Sequence, residues 1–125
     1  MMGKKTLGGM NVLLVEDEFL IAVDAEDMLK TLDAAKVSIA STYEDAERSV
    51  KEGAFDVAVL DVNLNGKMSF PLGEILRQRG IPFVFASGYN LDSRTRETNG
   101  GFWVSKPYKK DQLEQRLVEA LQAAS

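Results

Sequence analysis

The sequence predicts a doubly wound α/β fold, in which helices cover both faces of a five-stranded parallel sheet. Five short apolar segments alternate along the 125 residues with segments of helical periodicity. The apolar segments are almost continuously hydrophobic, which is typical of strands that are buried on both faces. Alternation of strands and helices implies parallel pairing through right-handed crossovers. The length fits one domain.

The first half of the chain supplies two strands and two helices. Asn11–Val15 is an apolar run suited to a buried strand, and Lys36–Ala40 is a weaker second strand. Between them, Glu18–Leu32 has the spacing of an amphipathic helix. Thr42–Lys51 predicts a second helix, because its first residue can cap it and Gly53 follows its end. The expected inner face of the first helix consists of Phe19, Ala22, Val23, Met28, Leu29 and Leu32.

The second half continues the alternation. Its strongest strand signal is Phe55–Leu60, which runs directly into Asp61. The other expected elements are a polar turn over Asn63–Gly66, a helix over Leu72–Arg79, a strand over Ile81–Ala86, a weak helix over Asn90–Asn99, a strand over Phe102–Val104 and a helix over Lys109–Ala124. This order is that of a flavodoxin-like sheet. Residues 1–10 are expected to be a flexible leader, and residues 11–125 the folded domain.

Composition excludes several kinds of chemistry. Because the chain has no cysteine and no histidine, thiolate metal sites and histidine-dependent nucleophilic catalysis are excluded. The formal net charge of −4 argues against a nucleic-acid partner. No apolar run approaches the roughly 20 residues of a membrane span, so the sequence predicts a cytoplasmic protein without membrane contact.

Functional side chains follow four of the predicted strands. Glu16 and Asp17 follow the first strand, Asp61 the third, Ser87 the fourth and Lys106 the fifth. Each has an ordinary explanation alone, as a helix cap, a turn residue or a solvated lysine. Ligands bind outside the carboxyl ends of strands in such sheets. Three acids, a hydroxyl and a lysine on one rim therefore predict a single site.

The residue types at this rim indicate phosphoryl chemistry. Carboxylates that converge on one pocket repel each other unless a cation joins them, and Mg²⁺ prefers such oxygen ligands. An aspartate can attack phosphorus and form an acyl phosphate. Transfer of a phosphoryl group needs charge neutralisation and positioned donors, which a metal, Lys106 and Ser87 would supply.

Four motifs resemble bacterial two-component response regulator receiver domains, in order and over nearly the whole chain. They are LLVEDE (Leu13–Glu18), VAVLDVN (Val57–Asn63), PFVFASGY (Pro82–Tyr89) and SKP (Ser105–Pro107). The third is similar to the motif of a single-domain subgroup with the pattern Pro-Phe-x-Phe-Ala-Thr/Ser-Gly-Tyr. The resemblance implies a stand-alone signalling module that is not an enzyme in the usual sense. It would act either by binding a partner protein when Asp61 is phosphorylated or by shuttling phosphate from a kinase.

The resemblance also implies roles for single residues. Asp61 matches the phospho-acceptor, while Glu16, Asp17 and the backbone carbonyl of Asn63 match the other Mg²⁺ ligands. Ser87 and Lys106 match the residues that contact the phosphoryl group, and the Lys106–Pro107 peptide is commonly cis. Ser87 and Trp103 match the switch pair, although Trp103 is equally consistent with a plain core aromatic.

The resemblance implies partners as well. The phosphoryl donor would be a histidine kinase or a histidine phosphotransfer protein, and the downstream partner is a protein of unknown identity. Tyr108–Lys110 is a candidate partner surface.

Some positions depart from the pattern of the family. The acidic pair is Glu-Asp, and Asn65 stands where a proline is usual. The stretches between Asp61, Ser87 and Lys106 are a few residues short. The second shortening falls on the weak fourth helix, which suggests the hypothesis that signalling involves an order–disorder change there. Asn63 and Tyr89 are expected to tune the lifetime of the phosphorylated state.

Other functions explain the sequence less well. A pseudo-receiver that only binds proteins would not need all five site residues. An aspartyl-phosphate hydrolase usually carries its nucleophile on the first strand with a second acid two residues later, whereas Asp61 is on the third strand with Asn63. Flavin binding would need a loop of Ser, Thr and Gly amides around a phosphate, which is not found at the strand ends.

Overall fold

The computed structural model describes residues 5–88 and 100–124. Its helices are α1 (Phe19–Thr31), α2 (Tyr43–Glu52), α3 (Phe70–Gln78) and α4 (Lys110–Ala124). Its strands are β1 (Asn11–Val15), β2 (Lys36–Ala40), β3 (Val57–Asp61), β4 (Asn63–Leu64), β5 (Lys67–Met68), β6 (Phe83–Ser87) and β7 (Phe102–Ser105). Tyr89 and the weak helix expected over Asn90–Asn99 lie outside the described residues, together with the order–disorder hypothesis.

The main sheet has five parallel strands in the order β2-β1-β3-β6-β7. The chain passes from β1 outward to β2 on one side of the sheet. It then returns to β3 and passes outward to β6 and β7 on the other side. This reversal opens a crevice at the carboxyl ends of β1 and β3. The predicted flavodoxin-like fold with helices on both faces is therefore confirmed.

Alternate residues of each strand enter two separate cores. Val12 and Leu14 pack with α1 and α4, whereas Leu13 and Val15 pack with α2 and α3. All four side chains are fully buried. Because successive side chains of a strand point to opposite faces, only a continuously apolar strand can fill both cores.

The ends of α2 confirm the predicted capping. The Thr42 side chain accepts a hydrogen bond from the Asp45 amide at 3.1 Å, and Gly53 is the C-cap residue. The predicted inner face of α1 was partly wrong, since Phe19 is 77% exposed and Val23 is 43% exposed. Phe19 opens the helix beyond the last residue of β1, where no strand remains to pack against, and Val23 lies beside the buried stripe.

The polar turn expected after β3 is a small hairpin. β4 and β5 pair antiparallel, with Asn63 opposite Met68 and Leu64 opposite Lys67. After the hairpin, Ser69 lies next to the residue that follows β3, because its backbone N–H donates to the Val62 carbonyl at 2.8 Å. The hairpin therefore stands directly beside the end of β3.

The expected leader is packed over residues 5–10. Leu7 is fully buried in the core between the sheet, α1 and α4, and its amide donates to the Leu32 carbonyl at 2.8 Å. Gly8 forms an isolated antiparallel bridge with Ala34. No local pattern predicts this packing, because one leucine among glycines and lysines lacks any periodicity.

Candidate functional site

Side chains at or just beyond the ends of four strands meet at the carboxyl edge of the sheet. Asp61 is the last residue of β3, and Ser87 is the last residue of β6. Lys106 extends the ladder beyond β7, since its amide donates to the Ser87 carbonyl at 2.8 Å. A cavity of about 270 Å³ opens here. It is lined by Asp17, Glu18, Asp61, Asn63, Asn65, Gly66, Gly88 and Lys106.

Lys106 links the acids of the site. Its Nζ lies 2.9 Å from Asp61 Oδ2 and 3.0 Å from each carboxylate oxygen of Glu16. The lysine side chain is only 6% exposed, so these ion pairs are shielded from solvent. Burial lowers the pKa of Lys106, but the bonds to Asp61 and Glu16 outweigh this and raise it above its usual value. The lysine is therefore held as a cation between two carboxylates.

Asp61 is buried but fully engaged by neighbouring donors. Its Oδ1 accepts from the Asn63 amide at 3.1 Å, and its backbone carbonyl accepts from the Ser69 hydroxyl at 2.6 Å. Burial raises the pKa of Asp61, while Lys106 opposes this shift through its hydrogen bond and its charge. These contacts fix the direction of the carboxylate at the cavity wall.

Glu16 lies deeper than the sequence suggests. Its side chain is shielded from solvent, and the residue is not among those that line the cavity. Besides Lys106, the Glu18 amide donates to Glu16 Oε2 at 3.2 Å. Burial, together with the negative charge of Asp61, raises the pKa of Glu16 to about 7. Glu16 therefore contacts the site by way of its hydrogen bonds to Lys106.

Asp17 and Glu18 bring further oxygens to the same place. One carboxylate oxygen from each of Glu16, Asp17 and Glu18 can be chosen so that all three lie within 4.8 Å of one another. Sequence reasoning missed Glu18, although a third acid in the run Glu-Asp-Glu was a visible signal. Asp17 and Glu18 line the cavity, and hard oxygen donors of this kind suit Mg²⁺. The donor set therefore fits the predicted metal.

Ser87 lies one position beyond the acceptor in the sheet register. Ala86 pairs with Asp61, and Ser87 pairs with Ser105 on β7. Ser87 is mostly buried. This position places the serine between β3, which ends at Asp61, and β7, which Lys106 follows.

Trp103 lies apart from the cavity, in an aromatic cluster. Its ring centroid is 4.9 Å from that of Phe85 and 6.2 Å from that of Phe70. Its Nε1 donates to the Gly100 carbonyl at 2.9 Å. This environment is that of a half-buried strand anchor, and the switch role stays a prediction.

The segment after β7 follows one expectation and departs from another. The Lys106–Pro107 peptide is cis, as the resemblance implied. Tyr108, however, is a core residue at 7% exposure, so it cannot belong to a partner surface. Burial, with the charges of Glu16 and Asp61, raises the pKa of Tyr108 well above its usual value. Lys109 and Lys110 remain exposed.

A parallel α/β sheet with acids and a lysine at its carboxyl edge is the arrangement that the resemblance to receiver domains implied. The family model of the response regulator receiver domain matches residues 12–118. The chain therefore belongs to the response regulator receiver domain family. No match was found among curated proteins.

Solved structures agree with this assignment. SdrG from Sphingomonas melonis Fr1 is 40% identical, with a TM-score of 0.75, and the match covers 94% of this chain and 98% of that chain. A receiver protein from Sinorhizobium medicae WSM419 is 23% identical, with a TM-score of 0.81 and coverage of 94% and 98%. This second likeness shows the fold alone. None of the described helices is long and apolar enough to span a bilayer.

Proposed function

We propose that this receiver domain accepts a phosphoryl group on Asp61 in the presence of Mg²⁺. The observation that supports it most directly is the arrangement of Lys106 and Asp61 beside the acidic loop Glu16–Glu18, with Lys106 Nζ 2.9 Å from Asp61 Oδ2. Asp17, Asp61 and the carbonyl of Asn63 would hold the metal, together with Glu16 once Lys106 has loosened its bonds to that carboxylate. Bound Mg²⁺ would neutralise the charge that develops on the transferred group.

The side chains supply the rest of the chemistry. A carboxylate of Asp61 needs no general base to attack phosphorus, because it is already a nucleophile when ionised. Lys106 would neutralise a phosphoryl oxygen, which requires it to loosen its bonds to the buried acids. The Ser87 hydroxyl would donate to another phosphoryl oxygen. Oriented donors of this kind account for most catalysis of phosphoryl transfer.

The donor would be a phosphohistidine on a kinase or on a phosphotransfer protein. Phe19 and Leu20 are each 77% exposed and follow the acidic loop directly. Exposed apolar side chains next to a reactive pocket suit a protein partner more than a small molecule. The downstream partner stays unidentified, and the cytoplasmic location stays a prediction.

Intact-mass analysis after incubation with acetyl phosphate and Mg²⁺ tests the proposal. We expect the wild-type chain to gain one phosphoryl group and Asp61→Asn to gain none. Lys106→Met, which keeps the length of the side chain without its charge, should gain the group far more slowly. Omission of Mg²⁺ with excess chelator should have the same effect as the Asp61 substitution.

A failure to gain mass has two readings that a second measurement separates. Beryllofluoride with Mg²⁺ mimics the phosphorylated state, and NMR shifts at Asp61 and Ser87 would report its binding. Shifts without a gain of mass would indicate rapid hydrolysis and leave the proposal standing. Absence of both would overturn it in favour of a pseudo-receiver that binds a protein without phosphorylation.

A further inference from the structure

The turn between β4 and β5 has an uncommon backbone conformation. Asn65 has a φ of 52° and Gly66 a φ of 90°. Two successive residues with positive φ define the tight turn that Asn-Gly pairs favour in hairpins. The Gly66 amide donates to the Asn63 side-chain oxygen at 2.6 Å, which braces the turn from inside. The tip of the hairpin therefore has a fixed direction.

The tip points at the acidic loop. The backbone N–H of Asn65 donates to Asp17 Oδ2 at 3.1 Å, across 48 positions of the sequence. Asp17, Asn65 and Gly66 all line the cavity beside Asp61. On its other side the hairpin is held by α2, because the Lys67 Nζ lies 3.8 Å from the centre of the Tyr43 ring. The hairpin thus joins the acidic loop to α2.

Asp17 depends on this contact more than its neighbours do. Lys106 forms ion pairs with Glu16, Glu18 and Asp61, whereas Asp17 forms no ion pair within residues 5–88 and 100–124. Its carboxylate lies among like charges and is partly open to solvent. Repulsion from the other acids would turn a free Asp17 side chain outward.

We propose that the Asn65–Gly66 turn is a positioning element for the metal site, a role that rests on the proposed function. The Asn65 amide holds Asp17 Oδ2, which leaves Oδ1 as the oxygen available to the cation. Partners that orient metal ligands in this way typically change metal affinity by about 10- to 100-fold. The contact is exposed to solvent, so the expected effect is at the lower end of that range.

Calorimetric titration with MgCl₂ tests the role of the turn, using full-length variants of Asn65. Asn65→Pro removes the N–H and cannot adopt a positive φ, so its Kd for Mg²⁺ should rise roughly tenfold. Asn65→Gly keeps both the N–H and the conformation, and its Kd should stay within about twofold of the wild type. The pair separates the backbone donor from the asparagine side chain.

Gly80→Ala is the matched control for backbone strain. Gly80 has a φ of 73°. A Cβ added at Gly80 would meet nothing within 4 Å, as would one added at Gly66. Gly80 follows α3 and is not among the cavity residues. This variant should lose thermal stability without weaker Mg²⁺ binding, and Gly66→Ala should lose both. Equal weakening in Gly80→Ala would show a general effect of instability and overturn the positioning role.

The remaining outcomes are also decisive. The role of the Asn65 backbone N–H would be overturned if a folded Asn65→Pro variant bound Mg²⁺ with wild-type affinity. It would also be overturned if Asn65→Gly weakened Mg²⁺ binding as much as Asn65→Pro does. In both cases the phosphorylation proposal would stand. A wild-type chain that binds no Mg²⁺ would overturn the metal site itself. A metal-free readout adds a direct check, because Asp17→Ala should speed hydrogen exchange of the Asn65 amide roughly tenfold by removing its acceptor.

Discussion

At the scale of single residues, the site shows how one cation organises buried acids. Lys106 bonds Glu16 and Asp61 at once, and all three side chains are nearly inaccessible to solvent. A buried carboxylate without such a partner would be neutral. Lys106 therefore stabilises a charged cluster before any metal or phosphoryl group arrives.

The raised pKa of Glu16 predicts a pH-dependent stability in the absence of Mg²⁺. Because this pKa is about 7 in the folded state and 4.5 ordinarily, the folded protein binds the proton more tightly. That contribution to the free energy of unfolding is complete below about pH 4.5 and lost as the pH rises through about 7. A shift of this size corresponds to a loss on the order of 3 kcal/mol.

Urea unfolding of the wild type and of Glu16→Gln, with a chelator present, measures the contribution of Glu16 to the free energy of unfolding. Their difference in unfolding free energy should fall between pH 4.5 and pH 7, since glutamine has no proton to lose. The exposed neighbour Glu18 provides the control substitution, Glu18→Gln. A difference that stays flat across this range would contradict the prediction.

At the scale of elements, α3 packs unusually close to the sheet at Gly73. A Cβ added there would lie 2.8 Å from Phe85 Cζ and 3.1 Å from Phe83 Cε2. These two rings meet edge to face with centroids 5.1 Å apart, so neither can move freely. The glycine allows the helix to rest directly on the aromatic layer that also holds Trp103.

We expect Gly73→Ala to destabilise the domain, contrary to the usual effect within a helix. Alanine would gain roughly 1 kcal/mol from helix propensity, whereas overpacking of a core costs about 1–3 kcal/mol. The net loss should be up to about 2 kcal/mol in chemical denaturation. Gln78→Ala, on an exposed position of the same helix, should stay within about 0.5 kcal/mol of the wild type. A stabilised Gly73→Ala would show that the rings yield easily.

At the scale of the whole molecule, the segment before β1 closes one of the two cores. Leu7 packs in the same core as α1 and α4, and the Thr6 hydroxyl donates to the Glu114 carboxylate on α4. The segment thereby joins the start of the chain to its last helix. The folded unit includes these residues as well as the sheet.

Leu7→Ala should therefore cost about 2–5 kcal/mol, as large-to-small changes do in a packed core. Thermal and urea unfolding measure the loss. Leu20→Ala removes the same atoms from a side chain that is 77% exposed, and it should change stability by less than about 0.5 kcal/mol. Similar stabilities for the two variants would mean that the segment is only loosely attached.

The sequence by itself determined the strands, the caps and the identity of the rim residues. Apolar runs such as Asn11–Val15 and the Thr42 cap depend on contacts within a few residues, so local patterns predict them. Parallel topology then places strand ends together. This is why Asp61 and Lys106 could be assigned to one site although 45 positions separate them.

Only the tertiary structure decided which side chains those elements bury and which groups fix the site. Leu7 is in the core while Phe19 is exposed, although local hydrophobicity suggests the reverse. The amide of Asn65 holds Asp17 because the hairpin folds toward the acidic loop, and a backbone donor leaves no mark in residue identity. Burial and long-range contacts depend on how whole elements pack, which no local pattern contains.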